Sequence, residues 1–203
     1  MTDHGVTPQF DDREPQLAVR EAAFSRLLEN GEPIQVETLV EDTGLPRDEL
    51  TAAVELLARQ GRLRHDRSGR IVGVAGLSVE PTSHQIEVDG TTRWAWCAVD
   101  AVGILGALGR GGRITSTPPD AAAPVQITFD GAEPAATGAA IFVAEEQACG
   151  SVVEEWCPQV NFFPSAAAAG RWAERTGVRG AVLSVAEATE LASEGWRSLL
   201  EGR

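Results

Sequence analysis

The stretch GRLRHDRSGRIVGVAGLSV, residues 61–79, decides how the first part of this chain is read. Two short β-prone runs flank a turn at Ser68-Gly69, the composition of a hairpin. Three helical patterns precede it. In the first, Leu17, Val19, Ala22, Ala23, Phe24, Leu27 and Leu28 recur near helical spacing and stop at Asn30-Gly31. A second, short helix fits Val36 to Thr43 and is stopped by Gly44 and Pro46. A third starts at Arg47, carries Leu50, Val54, Leu56 and Leu57 as its apolar stripe, and ends at Gly61. Three helices and a hairpin are the layout of a winged-helix module, expected over residues 17–80. Residues 1–16, MTDHGVTPQFDDREPQ, read as a flexible arm.

The usual work of such a module is DNA binding, and its charge argues against that. Residues 1–80 hold 9 arginines against 15 acids, a net of −6. The third helix, RDELTAAVELLARQ, has two arginines and three acids. A recognition helix offers Arg, Lys, Asn or Gln to base edges and phosphates. Only the hairpin is basic, through Arg62, Arg64, Arg67 and Arg70. A structural role is therefore expected for the module, with nucleic acid not a partner.

Residues 81–203 alternate differently. HQIEVDG reads as a strand, and RWAWCAVDAVGILGALG is apolar and helix-compatible. GRITSTPPDAAAPVQITFDG suggests two strands joined by a Pro-rich loop, and AAIFVAEE another strand. EEWCPQVNFFPS buries Val160, Phe162 and Phe163. SAAAAGRWAERTG is a helix with Ser165 placed to cap it. A strand and a helix close the chain. The fold class is α+β: a winged-helix-like three-helix module, then a mixed or antiparallel sheet with flanking helices over 81–203.

Composition narrows the chemistry. The 203 residues carry a formal net charge of −13 and contain no lysine and no tyrosine. Lysine Schiff bases and tyrosine acid catalysis are thus excluded, as is a lysine-bearing phosphate loop. No apolar run approaches the roughly 20 residues of a membrane span, and the polar start is unlike a signal peptide. A cytoplasmic protein is expected. The three histidines, His4, His65 and His84, lie in the arm, the hairpin and a strand start. None is expected in an apolar, concave setting, so neither a Ser-His-Asp nor a Cys-His site is indicated. No closely spaced Cys/His pair of the zinc type occurs.

The three cysteines remain, too few for a disulfide framework. Cys149 sits in the polar segment EEQACGS and reads as a bystander. Cys97 and Cys157 border aromatic segments, and either alone is readable as a small buried hydrophobe. Cys97 gains a second reading from Asp100, three residues on, which shares its face if the segment is helical. A buried acid is rare unless paired. Its other reading is a first-turn aspartate at a helix N-terminus, where the dipole also favours a Cys97 thiolate. Two thiolates and a carboxylate in a dry pocket suit a soft, thiophilic metal centre, with the carboxylate relaying a proton. Trp94 and Trp96 would wall out water.

These residues carry a resemblance. WCAVDAVGI around Cys97 and Asp100, and CPQVNFFPSAAAAGRWAERTGVRGAVLSVAEA from Cys157, resemble the organomercurial (alkylmercury) lyases, a MerB-like family. The likeness covers most of residues 81–203. The three-helix and hairpin region, residues 17–80, also looks like that family's winged-helix domain, which does not bind DNA. The resemblance implies that Cys97 and Cys157 bind mercury of an organomercurial, R–Hg⁺. It implies that Asp100, beside the metal, relays a thiol proton to the carbon. No organic cofactor is implied, with mercury as substrate and product. A thiol is needed for turnover, and Hg(II) passes to a low-molecular-weight thiol or a mercuric reductase. Departures from the family pattern are Pro158, Gln159 and Asn161, where a cysteine and histidines are common, and a loop TSTPPDAAAP without a further cysteine. Two other readings stay open: the same Cys/Asp site turned to a non-mercurial reaction, and a non-enzymatic winged-helix metal or thiol sensor.

Overall fold

A computed structural model describes residues 14–120, 123–145 and 150–201. The arm expected over 1–16 lies outside these apart from its last residues, and Cys149 lies outside them altogether. Helix α1 (Glu14–Asn30) buries Val19, Ala23, Phe24, Leu27 and Leu28 of the expected stripe, while Ala22 is half-buried and Leu17 is exposed. A 3₁₀ turn over Val36–Thr38 runs into α2 (Leu39–Thr43), and α3 (Arg47–Arg59) buries Leu50, Ala53, Val54 and Leu57. Strands β1 (Leu63–His65) and β2 (Ile71–Val74) then pair antiparallel around the expected turn.

The hairpin does not stand apart. After β2 come β3 (Leu77–Ser78), β4 (His84–Val88), β5 (Thr91–Ala95), helix α4 (Ala98–Leu108), β6 (Gly112–Ser116), β7 (Val125–Asp130) and β8 (Glu133–Pro134). The eight strands form one sheet in the order β1-β2-β3-β5-β4-β6-β7-β8, crossing residue 80 without a break. Its pairings are antiparallel. A second antiparallel sheet, β10-β9-β11, joins β9 (Ala140–Ala144), β10 (Asn161–Phe163) and β11 (Gly180–Ser184). Helices α5 (Ala166–Thr176) and α6 (Val185–Glu201) flank it. Ser165 caps α5 as expected, its Oγ accepting from Ala168 N at 3.2 Å.

One expectation needs correcting. RWAWCAVDAVGILGALG is not one helical stretch. Arg93, Trp94 and Ala95 belong to β5, and the helix starts only at Ala98. The β-branched Thr91 and Thr92 and the aromatic Trp94 favour the pleated conformation. Past Cys97 the sequence AVDAVGILGAL offers small and apolar residues that survive burial on every side. Helix α4 is accordingly buried from Ala98 to Gly106. Its Gly103 and Gly106 admit α6 at close range. A methyl carbon at Gly103 would sit 2.3 Å from the Trp196 ring, and one at Gly106 would sit 2.2 Å from Ser193 Oγ.

Arg93 ties the helical region to β5. It is 6% exposed, and its guanidinium donates to the carbonyls of Leu27 (2.9 Å), Leu28 (2.8 Å) and Glu29 (3.2 Å). They lie in the last turn of α1, where Leu27 O also accepts from Gly31 N at 3.0 Å and Leu28 O and Glu29 O lie beyond the helix ladder. Among the described residues no helix is long and apolar enough to cross a membrane. Replacing Arg93 with Met should strip Leu28 O and Glu29 O of their donors and lower stability by about 2–4 kcal/mol. The check is a lower urea midpoint with an unchanged slope, and an unaltered midpoint refutes the role given to this side chain.

Candidate functional site

The site is built where β5 hands over to α4. Cys97 has extended backbone (φ −145°, ψ 176°) and is the N-cap of α4. Its Sγ accepts from Asp100 N at 3.5 Å, while Asp100 Oδ2 accepts from Cys97 N at 3.0 Å. This reciprocal arrangement is a capping box, with cysteine where serine or threonine is usual. The three-residue spacing noted in the sequence is therefore the spacing of a helix start. It fixes thiol and carboxyl side by side before any ligand arrives.

Cys157 arrives from the other sheet. A π-helical turn over Val152–Trp156 runs into a 3₁₀ turn over Cys157–Gln159, and β10 follows. Ala98 N donates to Val160 O at 3.1 Å, so the first turn of α4 is stitched directly to this segment. Trp156 anchors it from the other side through Nε1 to Ala144 O at 3.2 Å. As a result the Cys157 thiol lies 3.9 Å from Asp100 Oδ2. Ligand atoms of Cys97, Asp100 and Cys157 all lie within 4.8 Å of one another, and all three residues are buried. The structure thus brings together the three residues singled out in the sequence, from regions 60 positions apart (157 − 97).

Burial governs the electrostatics. Asp100 is 7% exposed, and loss of water pushes its carboxyl up to about 6 against the opposing pull of its bonds to Cys97. The Cys97 thiol is pushed well above its ordinary value, first by burial, then by its contact with Cys157 and the charge of Asp100. This corrects the expectation that the helix N-terminus would favour a Cys97 thiolate. Desolvation and a neighbouring acid outweigh the dipole, and Cys97 is held as a neutral thiol. A soft cation reverses that balance, because a metal ion replaces the thiol proton with a larger positive charge.

The surroundings hold further corrections. His84 is not in a polar setting: it is 3% exposed, its Nδ1 lies 2.9 Å from Ser116 Oγ, and its ring meets Phe162 edge-on at 5.8 Å. Burial takes its pKa down to about 4, so it is neutral at ordinary pH. It pairs in register with Ala95, two residues before Cys97. Its alternating strand was legible, but not that Phe162 would cover it. Trp94 is half-buried; Trp96 is buried, with its indole against Gly73 of β2. A surface cleft of about 670 Å³ lined by Glu21, Arg26, Glu29 and Asp42 lies between α1 and α2 and includes none of the three site residues.

One residue against the site escaped the sequence reading. Ala75-Gly76 forms the turn between β2 and β3, and Gly76 backs onto the Asp100 carboxyl. The signal was present as a Gly-containing pair between two apolar runs, VGV and LSV.

Comparison with known proteins agrees with this geometry. The MerB alkylmercury lyase family model matches residues 77–196. An alkylmercury lyase of Streptomyces lividans is 34% identical over 182 residues, covering 87% of this chain and 81% of that protein. The alkylmercury lyase of Staphylococcus epidermidis is 33% identical over 171 residues, covering 82% of this chain and 76% of its own. In three dimensions the chain is similar to the crystal structure of the mercury-bound form of MerB2. The TM-score is 0.83 at 23% identity, covering 93% of this chain and 92% of that one. By sequence match over most of its length, the chain belongs to the alkylmercury lyase family.

Proposed function

We propose that this protein cleaves the carbon–mercury bond of organomercurial cations, R–Hg⁺, by protonolysis at Cys97, Asp100 and Cys157. The observation that carries the proposal is the buried cluster of two thiols and one carboxyl with ligand atoms within 4.8 Å of one another. Family membership supports the same reading.

The chemistry follows from the donor set. Mercury is soft, and thiolates are its preferred partners. As the first thiol sulfur bonds to mercury its proton moves to the Asp100 carboxylate, whose oxygen lies within 4.8 Å of both sulfurs. The second thiol then bonds and releases its proton to solvent. Two thiolates push electron density through mercury onto the attached carbon and raise its basicity. Asp100 delivers its proton to that carbon, the carbon–mercury bond breaks, and no free carbanion forms. In balance, R–Hg⁺ and two thiols give R–H, a mercury bis-thiolate and one proton. Exchange with two external thiols, from a low-molecular-weight thiol or a mercuric reductase, returns the protein to its starting state. The cycle needs no organic cofactor.

Placement follows the same logic. The acidic chain and the reduced thiols of Cys97 and Cys157 suit a reducing compartment, the cytoplasm. We assign residues 17–80 to a winged-helix-like structural module and 81–203 to the catalytic domain. The acidic third helix gives the module no footprint for nucleic acid.

Purified protein given phenylmercury and excess small thiol should release benzene well above a thiol-only control, measured by gas chromatography. Replacing Cys97 or Cys157 with Ser, or Asp100 with Asn, should lower the rate by about a thousandfold. Absence of release by the unaltered protein sinks the proposal.

The raised Asp100 pKa adds a stability prediction. Between its ordinary value of 3.8 and about 6 the folded protein holds a proton that the unfolded chain has lost. Stability therefore falls as pH rises through that window and stays lower above it. Asp100→Asn removes the titration while keeping an acceptor for Cys97 N. Relative to the unaltered protein, the variant should gain on the order of 2 kcal/mol between pH 4 and pH 8. Urea unfolding of both proteins at the two pH values measures this, and a gain that does not grow with pH contradicts it.

A further inference from the structure

Strand β2 ends and β3 begins with Val74 paired to Leu77, leaving a two-residue turn, Ala75-Gly76. Both residues have positive φ, +49° at Ala75 and +84° at Gly76. Two successive positive φ values give the turn whose twist matches a tight hairpin. Alanine is uncommon in that region, and such residues persist where their surroundings fix them. Here three elements do so. Trp196 Nε1, from α6, donates to Ala75 O at 2.8 Å. Ala75 N donates to Arg62 O at 3.3 Å, and Trp96 N, next to Cys97, donates to Gly76 O at 2.9 Å.

This pinning sets the Gly76 backbone against the acid of the site. A Cβ at Gly76 would lie 2.4 Å from Asp100 Oδ1, 2.5 Å from Cγ and 2.8 Å from its Cβ. The other carboxylate oxygen, Oδ2, is tied to Cys97 N and faces Cys157. One oxygen is thus held by the helix cap and the other is backed by the turn. Neither the cap nor the cysteines alone fix the rotation of the carboxyl plane.

We propose that Gly76 is a positioning residue for carbon–mercury cleavage: the β2–β3 turn, supplied by the N-terminal part of the chain, forms the wall that aims the Asp100 carboxyl. The inference rests on the lyase reading above. Any side chain at position 76 moves the carboxyl away from the carbon that must receive its proton, while both thiols remain to capture mercury. Chemistry is lost and capture is kept.

Gly69 provides the control. It too has a positive φ, +79°, in the neighbouring hairpin, but a Cβ there meets nothing within 4 Å. Gly76→Ala and Gly69→Ala therefore share the backbone penalty and differ in what they strike. The experiment measures kcat and KM for benzene release from phenylmercury, and the stoichiometry of tightly bound Hg(II), on the unaltered protein and both variants. Gly76→Ala should lose about a hundredfold in kcat, the scale of a 1 Å misplacement. Its KM and Hg(II) stoichiometry should stay as in the unaltered protein, and Gly69→Ala should match that protein throughout. Unchanged kcat in Gly76→Ala overturns the inference. So does an equal fall in both variants, or loss of Hg(II) capture together with kcat. Where Gly76→Ala does not fold, Trp196→Phe keeps the ring but removes the N–H that pins Ala75. It should lose roughly fivefold in kcat, the worth of one hydrogen bond, with capture intact, and unchanged kcat there is equally fatal. No benzene from the unaltered protein removes the lyase reading and this inference with it. Benzene from that protein with an unaffected Gly76→Ala removes this inference alone.

Discussion

The start of helix α4 is the constraint on which the rest of the structure depends. A helix N-terminus leaves backbone N–H groups without partners, and here it is driven into the core, where water cannot supply them. The chain answers with Cys97 Sγ on Asp100 N, Asp100 Oδ2 on Cys97 N, and Val160 O on Ala98 N. Each bond satisfies the helix, and each also places a piece of the site. The third recruits the segment carrying Cys157, so the two thiols meet because a backbone donor needed an acceptor. The bonds that complete the helix start are the bonds that hold the site together.

Serine or threonine would cap this helix better, since sulfur is a weak acceptor. Cysteine at the cap, and an acid with its pKa pushed up to about 6 beside it, are choices that stability alone does not explain. The expense is local, and close packing around it offsets it. Gly103 and Gly106 bring α6 into contact, and the apolar residues of α4 are almost wholly buried. Under the proposed chemistry the burial that raises Cys97 and Asp100 also serves capture: a thiophilic cation would displace the thiol protons, with the Asp100 carboxyl in contact to accept one.

Much of this was legible in the sequence, for a definable reason. Local signals survive without tertiary information: the stripe of α1, the Ser165 cap, the turn at Ser68-Gly69, and the three-residue step from Cys97 to Asp100. Resemblance supplied the distant partner, Cys157, which spacing alone left ambiguous. What failed depends on neighbours far along the chain. The strand character of Arg93, Trp94 and Ala95 comes from pairing with β3 and β4, against an apolar pattern that also suits a helix. The burial of His84 depends on Phe162, and the neutral state of Cys97 on desolvation that only the folded core creates. The Ala75-Gly76 turn carried its signal openly, yet nothing in the sequence tied it to Asp100.

That last gap bears on what the N-terminal part of the chain does. Its third helix carries three acids against two arginines, where a nucleic-acid reader would be basic. Its contacts run inward instead. The β2–β3 turn abuts Asp100, and the end of α3 receives Val152 N on Gln60 O at 3.2 Å and Val153 N on Gly61 O at 3.3 Å. Those two residues lie in the π-helical turn that leads to Cys157. The N-terminal elements therefore touch both arms of the cluster, the acid directly and the second thiol through its supporting turn. The sheet that carries the β2–β3 turn runs without a break from β1 to β8. The β2–β3 turn thus faces inward, against the buried cluster of thiols and acid.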